Sequence, residues 1–307
     1  MMIHLKNLTK IFDKEYAVRN ITFDLPPGKC TALLGPNGAG KTTTLKMIAG
    51  LMHPTSGQVE LSNGMRGDIR QYIGYLPQHP QFHNWMTGKE FLQYVARLSH
   101  IPHLESKKLA ERLLERVGIA DAKNRKISSY SGGMKQRLGI AQAMIHKPSV
   151  LLLDEPVSAL DPIGRRDVLN LMEELKQEAT LLYSTHILSD AEEASDEILL
   201  MHKGSIVESG SLQDVKERHQ LDKITLRFEG DMQSYQEKVE AFPFVTHTDI
   251  QKKKLHVYVQ NVHEARAVLL DLVNKEKWPL LFFEVGQTTL EDLFMKVVNE
   301  HAMADHL

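Results

Sequence analysis

The stretch Cys30-Thr31-Ala32-Leu33-Leu34-Gly35-Pro36-Asn37-Gly38-Ala39-Gly40-Lys41-Thr42 decides how this chain is read. Five uncharged residues with the look of a buried strand run directly into a glycine-rich loop of the form GxxxxGK[ST]. Beyond Lys41, the apolar residues Leu45, Ile48, Ala49 and Met52 recur at the spacing of one helix face. A strand, a glycine loop and a helix start in that order make a cradle for phosphate. Backbone N–H groups turn inward around the anion, and the helix N-terminus adds a favourable field. Lys41 is placed to meet the β- and γ-phosphates, and the Thr42 hydroxyl to ligate Mg²⁺. The segment Gly35, Pro36, Asn37, Gly38, Ala39, Gly40, Lys41, Thr42 and Thr43 is therefore the predicted nucleotide site, with ATP and Mg²⁺ as its predicted cofactors.

Working outward, a second apolar run, Val150-Leu151-Leu152-Leu153, ends in Asp154-Glu155-Pro156. A carboxylate at the end of such a strand, downstream of a phosphate loop, is expected to hold the Mg²⁺ shell. That role falls to Asp154. Strand alternation predicts that Glu155 points the opposite way, free to orient or deprotonate a water. Just upstream lies Ser131-Gly132-Gly133-Met134-Lys135-Gln136-Arg137, a second glycine-rich helix start. One nucleotide needs only one cradle. Two phosphate-suited surfaces in one chain therefore predict a site completed by another copy.

The bulk properties set the frame. At 307 residues the chain accommodates a large domain and a smaller one. Its 42% hydrophobic and 25% charged content is ordinary for a globular core. A net charge of -2 gives no bulk drive toward nucleic acid, and no nucleic-acid partner is expected. The single cysteine, Cys30, excludes an internal disulfide framework, fits a reducing compartment and reads as a buried structural thiol. No signal peptide and no apolar run near the ~18 residues of a membrane span are visible, so action at a membrane is expected through a partner. The 15 histidines are scattered. Pairs such as His79/His83 and His100/His103 lack ligands at zinc spacing, and no structural zinc is expected.

Along the chain, residues 3–25 alternate like strands, and Pro26-Pro27-Gly28 makes a turn. From about Trp85 to His146 the pattern becomes helical, with Phe91, Leu92, Val95 and Leu98 as one stripe. Strand character returns at Val150–Leu153 and Thr180–Thr185, and between them Asp161-Pro162 opens a helix that buries Val168, Leu171, Met172 and Leu175. A boundary falls near 211–223. The following pattern, β-α-β-β-α-β, is the ferredoxin-like arrangement. Thr288-Thr289-Leu290-Glu291-Asp292 then caps a last predicted helix. The predicted fold class is α/β. A P-loop NTPase (RecA-like) core carries an N-terminal antiparallel β segment and a helical subdomain inserted at about 83–148. A small C-terminal α+β (ferredoxin-like) domain follows it. The expected domains are 1–220 and 221–307.

In this order the motifs resemble the nucleotide-binding subunit of ATP-binding-cassette (ABC) transporters, over residues 3 to about 210. Ser131-Gly132-Gly133-Met134-Lys135 is similar to the family signature, with methionine at Met134 in place of the usual glutamine. The resemblance implies that Ser131, Gly132 and Gly133 face the γ-phosphate held by the opposite subunit. It also implies that Gln78, in Gly74-Tyr75-Leu76-Pro77-Gln78, contacts Mg²⁺ or water at the hinge into the helical subdomain. By the same resemblance Ser158–Asp161 crosses the dimer interface, His186 bonds the γ-phosphate, and Phe12 stacks on adenine, with Tyr16 as the fallback stacker. The implied partners are an integral-membrane permease and a second copy or a paralogous ATPase subunit. The implied location is cytoplasmic, at the inner face of the membrane through that permease.

Within the family, the signature helix and the tail Thr289-Leu290-Glu291-Asp292-Leu293-Phe294 resemble bacterial export-type subunits. Importer signatures are more often followed by an Ala-Arg-Ala-Leu run, where this chain has Ala141-Gln142-Ala143-Met144. The competing expectation is a soluble ATPase of DNA repair or translation. The long heptad arms of the one and the paired cassettes of the other are absent from the sequence. The tail domain is open to either effector binding or dimer contacts.

Overall fold

Alternation in the first 25 residues becomes two long antiparallel strands, β1 (Ile3–Phe12) and β2 (Glu15–Leu25), joined by a tight turn with Asp13 and Lys14 in left-handed conformations. The computed structural model describes residues 2–61, 68–158, 160–218, 222–286, 290 and 294. It divides the chain into two compact units, Met1–Leu212 and Gln213–Leu307.

In the first unit, β3 (Cys30–Leu34) is buried at every residue and leads into α1 (Lys41–Ile48). This helix is shorter than the apolar spacing predicts. It stops at Ile48 because Gly50 takes a left-handed φ of 66°, so Met52 packs on the core from beyond the helix end. β4 (Ser56–Leu61) pairs with β1 and completes a three-stranded antiparallel sheet, β2-β1-β4. After β5 (Ile73–Leu76) the chain leaves for three helices, α2 (Gly88–Leu98), α3 (His103–Arg116) and α4 (Gly132–Ala143). It returns through β6 (Val150–Asp154), α5 (Pro162–Leu175), β7 (Thr180–Thr185), α6 (Leu188–Ala194), β8 (Glu197–His202) and β9 (Ser205–Ser211).

The second sheet has the order β5-β6-β7-β3-β8-β9, with β5 to β8 mutually parallel and β9 antiparallel at one edge. Strands buried on both faces read as continuous apolar runs, which is why Leu151–Leu153 and Leu181–Leu182 show no alternation. Leu5, Leu8, Leu25, Leu33, Leu45, Ile48 and Leu152 fuse the two sheets around α1. Each such buried side chain contributes roughly 1.5–3 kcal/mol. α2 opens with a reciprocal capping box between Thr87 and Glu90 and buries Phe91, Leu92 and Ala96. The predicted stripe fails at Leu98, which is 62% exposed because the core side of the helix runs through Ala96 instead.

In the second unit, α7 (Leu212–Arg218) at the division is followed by β10 (Asp222–Phe228), α8 (Met232–Glu240), β11 (Val245–Gln251), β12 (Lys254–Val259), α9 (Val262–Lys275) and β13 (Leu280–Gly286). The sheet order β11-β12-β10-β13, all antiparallel, is the ferredoxin-like arrangement. Ile224, Leu226, Leu255, Val257, Leu269 and Trp278 form its core. Of the predicted last helix, only Leu290 and Phe294 are among the described residues, and Leu290 is buried. Among the described residues no helix is long and apolar enough to cross a membrane.

Candidate active site

Three neighbouring parallel strands, β6, β7 and β3, deliver the chemistry at their C-terminal ends, where open α/β sheets place ligands. The glycine loop follows β3. Its geometry depends on missing side chains. Gly40 sits at φ 103°, and a Cβ there would lie 2.3 Å from the Ala17 carbonyl oxygen. A Cβ on Gly35 would lie 2.3 Å from the carbonyl oxygen of Met201. α1 starts at Lys41 with no side-chain cap and no acidic residue in its first turn, so its N-terminal N–H groups are suited to an anion. Asn37 and Gly38 are exposed at the loop tip, and Thr43 is half-buried in the first turn. Lys41 is buried, and its Nζ donates to the carbonyl oxygens of Gly35 at 2.7 Å and Pro36 at 3.1 Å. Burial lowers the Lys41 pKa from its usual range, while Glu155 and then Asp154 pull it back up.

Asp154 closes β6. Its Oδ1 accepts from the Thr42 hydroxyl at 3.1 Å and from the Ser184 hydroxyl at 2.6 Å, while Oδ2 is buried without a hydrogen-bond partner among the described residues. This arrangement fits Mg²⁺. The metal typically takes one or two carboxylates, substrate phosphates and waters rather than an all-protein cage. Asp154 Oδ2 and the Thr42 hydroxyl would hold it. Among the described residues no cluster of three or more acidic, histidine or cysteine side chains offers a competing metal site.

Glu155 differs from its expectation. It lies past the strand end in a left-handed conformation, φ 52°, so its direction is set by a turn and not by strand alternation. Its N–H donates to the Ser184 Oγ at 2.9 Å. The turn aims the carboxylate at His186, whose Nδ1 stands 2.9 Å and 3.0 Å from the two oxygens, and leaves it 3.9 Å from Lys41 Nζ. A carboxylate only accepts, so Nδ1–H is the donor and the imidazole is fixed in orientation.

Lys41, Thr42, Asp154, Glu155 and His186 are thus one cluster. Gln78 is exposed two residues past the end of β5, the strand that pairs with β6. Ser131 is the exposed N-cap of α4, accepting from the Met134 N–H at 3.2 Å. Gly132 is exposed beside it, and a Cβ on Gly133 would touch Leu160 at 3.0 Å. Phe12 is 44% exposed at the end of β1, with Lys10 Nζ 5.1 Å above its ring. Tyr16 instead stacks with Arg19 at 4.7 Å. Sequence reasoning missed Ser184, which bridges Asp154 and Glu155. A hydroxyl at the C-terminal end of an otherwise apolar strand was its only signal. It also missed Tyr75 on β5, whose hydroxyl is buried and is pushed well above the usual tyrosine range by burial and by the Asp154 charge.

Comparison with known proteins bears on this geometry. Residues 18–158 match the ABC transporter family, and residues 210–298 match the C-terminal domain of DrrA1-3-like ATP-binding proteins. The chain is 42% identical to an uncharacterised ABC transporter ATP-binding protein, YxlF of Bacillus subtilis, over 97% of this chain and 100% of that one. It is 31% identical to the linearmycin resistance ATP-binding protein LnrL of the same organism, over 96% of this chain and 98% of the relative. Against the bacitracin transport ATP-binding protein BcrA of Enterococcus faecalis it is 39% identical over 71% of this chain and 72% of the relative. Among solved structures, an ATP-binding subunit of an ABC transporter is similar with a TM-score of 0.64 at 31% identity, covering 71% of this chain and 93% of that one. A dimeric cassette in a post-hydrolysis state with ADP and Pi gives 0.62 at 27%, covering 68% and 98%.

Proposed function

The chain belongs to the ABC transporter family of ATP-binding, ATP-hydrolysing subunits, and from that premise we propose that it powers an exporter whose membrane-spanning permease is a separate polypeptide. The observation that carries the catalytic part is the convergence of Lys41, Thr42, Asp154, Glu155 and His186 at three adjacent strand ends. Lys41 and the loop N–H groups bind the phosphates, Phe12 stacks on adenine, and Thr42 and Asp154, with Gln78 completing the set, would hold Mg²⁺. Bound there, Mg²⁺ neutralises phosphate charge. Glu155 takes the proton of the attacking water, and His186 fixes its carboxylate while facing the γ-phosphate. Ser131, Gly132 and Gly133 serve the nucleotide of the opposite copy, which makes each site a product of two chains.

In this reading residues 1–220 are the ATPase domain and 221–307 an accessory domain. Trp85, 68% exposed, with exposed Tyr94 and Leu98 and the His83 ring packed between the aromatics, forms an apolar patch on the helical insert. It suits a permease helix held at the inner face of the membrane. Export is supported by the signature helix and by similarity to proteins named for bacitracin transport and linearmycin resistance. Co-purification from membranes tests the partnership: one integral protein in fixed ratio is expected, and none would contradict it. Glu155→Gln is expected to bind ATP, accumulate a closed dimer and turn over at least ~10²-fold slower. Undiminished steady-state hydrolysis would remove Glu155 from the role of base.

A further inference from the structure

The helices that follow the Glu155 loop and the His186 turn are themselves joined, away from the reacting groups. α5 starts from the Asp161 cap, and Arg165 in its first turn donates its backbone N–H to the Asp161 carbonyl oxygen at 2.9 Å. Its guanidinium crosses to the first turn of α6. There Nε donates to Asp190 Oδ1 at 2.5 Å and a terminal nitrogen donates to the Ser189 Oγ at 3.2 Å. Asp190 is buried and built into the turn after His186. Its N–H donates to the Ile187 carbonyl at 3.2 Å, and its own carbonyl accepts from the buried Tyr183 hydroxyl at 3.1 Å. Burial raises the Asp190 carboxyl above its usual range. Arg165 pulls it down, and the negative charges of Glu193 and Glu155 push further up. The second oxygen, Oδ2, is buried without a partner among the described residues.

An ion pair with a buried carboxylate and a half-buried guanidinium gives little stability over a well-packed apolar pair, but it fixes geometry. Arg165 joins the helix that follows the Glu155 loop to the first turn of the helix that follows His186. We propose that Arg165 and Asp190 are a positioning pair that sets His186 against Glu155, so that the hydrolytic dyad is aligned from the back of the site. This rests on the roles given above to Glu155 and His186. A displacement of about 1 Å at such a pair is enough to cost ~10²-fold in rate without loss of binding.

The test compares turnover, equilibrium ATP affinity and melting temperature across a small set of variants. The double variant Arg165→Met/Asp190→Leu replaces the ion pair by apolar contact. It is expected to melt near the parent and bind ATP equally well, yet to turn over at least ~10-fold slower. Arg165→Lys, which keeps the charge but not the fork, is expected to recover part of the rate lost in Arg165→Ala. If the pair acts through His186, Arg165→Ala added to His186→Ala slows turnover no further. A double variant of parental melting temperature with turnover within about twofold of the parent would overturn the proposal, as would independent, multiplying losses in the His186→Ala background. Full turnover in His186→Ala alone would instead remove the reading beneath it.

Discussion

At the scale of single residues, the cluster is held by a few hydrogen bonds whose loss has separable consequences. Lys41 sits inside its own loop, bonded to two loop carbonyls and 3.9 Å from Glu155. Lys41→Ala is expected to abolish ATP binding, and unchanged affinity in an equilibrium titration would refute that role. Cys30 is fully buried on β3, and burial pushes its thiol far above the usual range. It is expected to resist alkylation at pH 8 in the native protein and react on denaturation; rapid native reaction would contradict the buried setting. His146 donates from Nε2 to the Ile73 carbonyl at 3.2 Å, yet burial holds its pKa below the ordinary value. The unfolded chain therefore takes up that proton first. The stability His146 contributes is complete above pH ~6.5 and is lost as pH falls below it. Denaturant titrations of His146→Gln should show a shallower acid loss than the parent, and identical slopes would contradict this. The lone motif letters Lys41, Asp154 and Glu155 were legible in the sequence. The direction of Glu155 was not, because alternation ends where the backbone turns left-handed. Ser184 was not either, because a hydroxyl in a buried strand looks like packing until its partners are in place.

Helix starts carry the argument at the scale of elements. α2 has a full capping box, and Thr87→Ala is expected to destabilise the protein by about 1 kcal/mol in denaturant unfolding. An unchanged midpoint would mean that the box contributes nothing. α4 is capped by Ser131 through the Met134 N–H. Aspartate caps a helix as well as serine does, so Ser131→Asp is expected to leave the melting temperature intact. It is also expected to block ATP-driven pairing, because a carboxylate would then face the partner's γ-phosphate. Retained pairing would separate Ser131 from the phosphate and leave it only a cap. Elements with strong periodicity were readable in advance, including α5, α9 and the β-α-β-β-α-β order of the second unit. Their ends were less so. α1 stops early at a left-handed glycine, and Leu98 of α2 is exposed where a helical stripe predicted a core. Spacing says which residues share a face, but not which of two adjacent faces finds the core.

At the scale of the molecule, the first unit gathers its phosphate-binding loop, acidic strand end and histidine at the C-terminal ends of three interior strands. The Ser131–Gly133 segment, exposed at Ser131 and Gly132, belongs to a different helix start. That separation is the physical reason to expect two chains per site, and it was already implicit in a sequence with two glycine-rich helix starts. Each site is expected to draw on both chains. Complementation measures it: Lys41→Ala and Ser131→Asp are each expected to be nearly inactive alone. Mixed, they would assemble one intact site from the loop of one chain and the Ser131 segment of the other. Equal mixing is predicted to restore hydrolysis to between roughly a quarter and a half of the parental rate, since each mixed dimer carries one working site in two and neither variant pairs efficiently with itself. No recovery at any ratio would contradict a shared site.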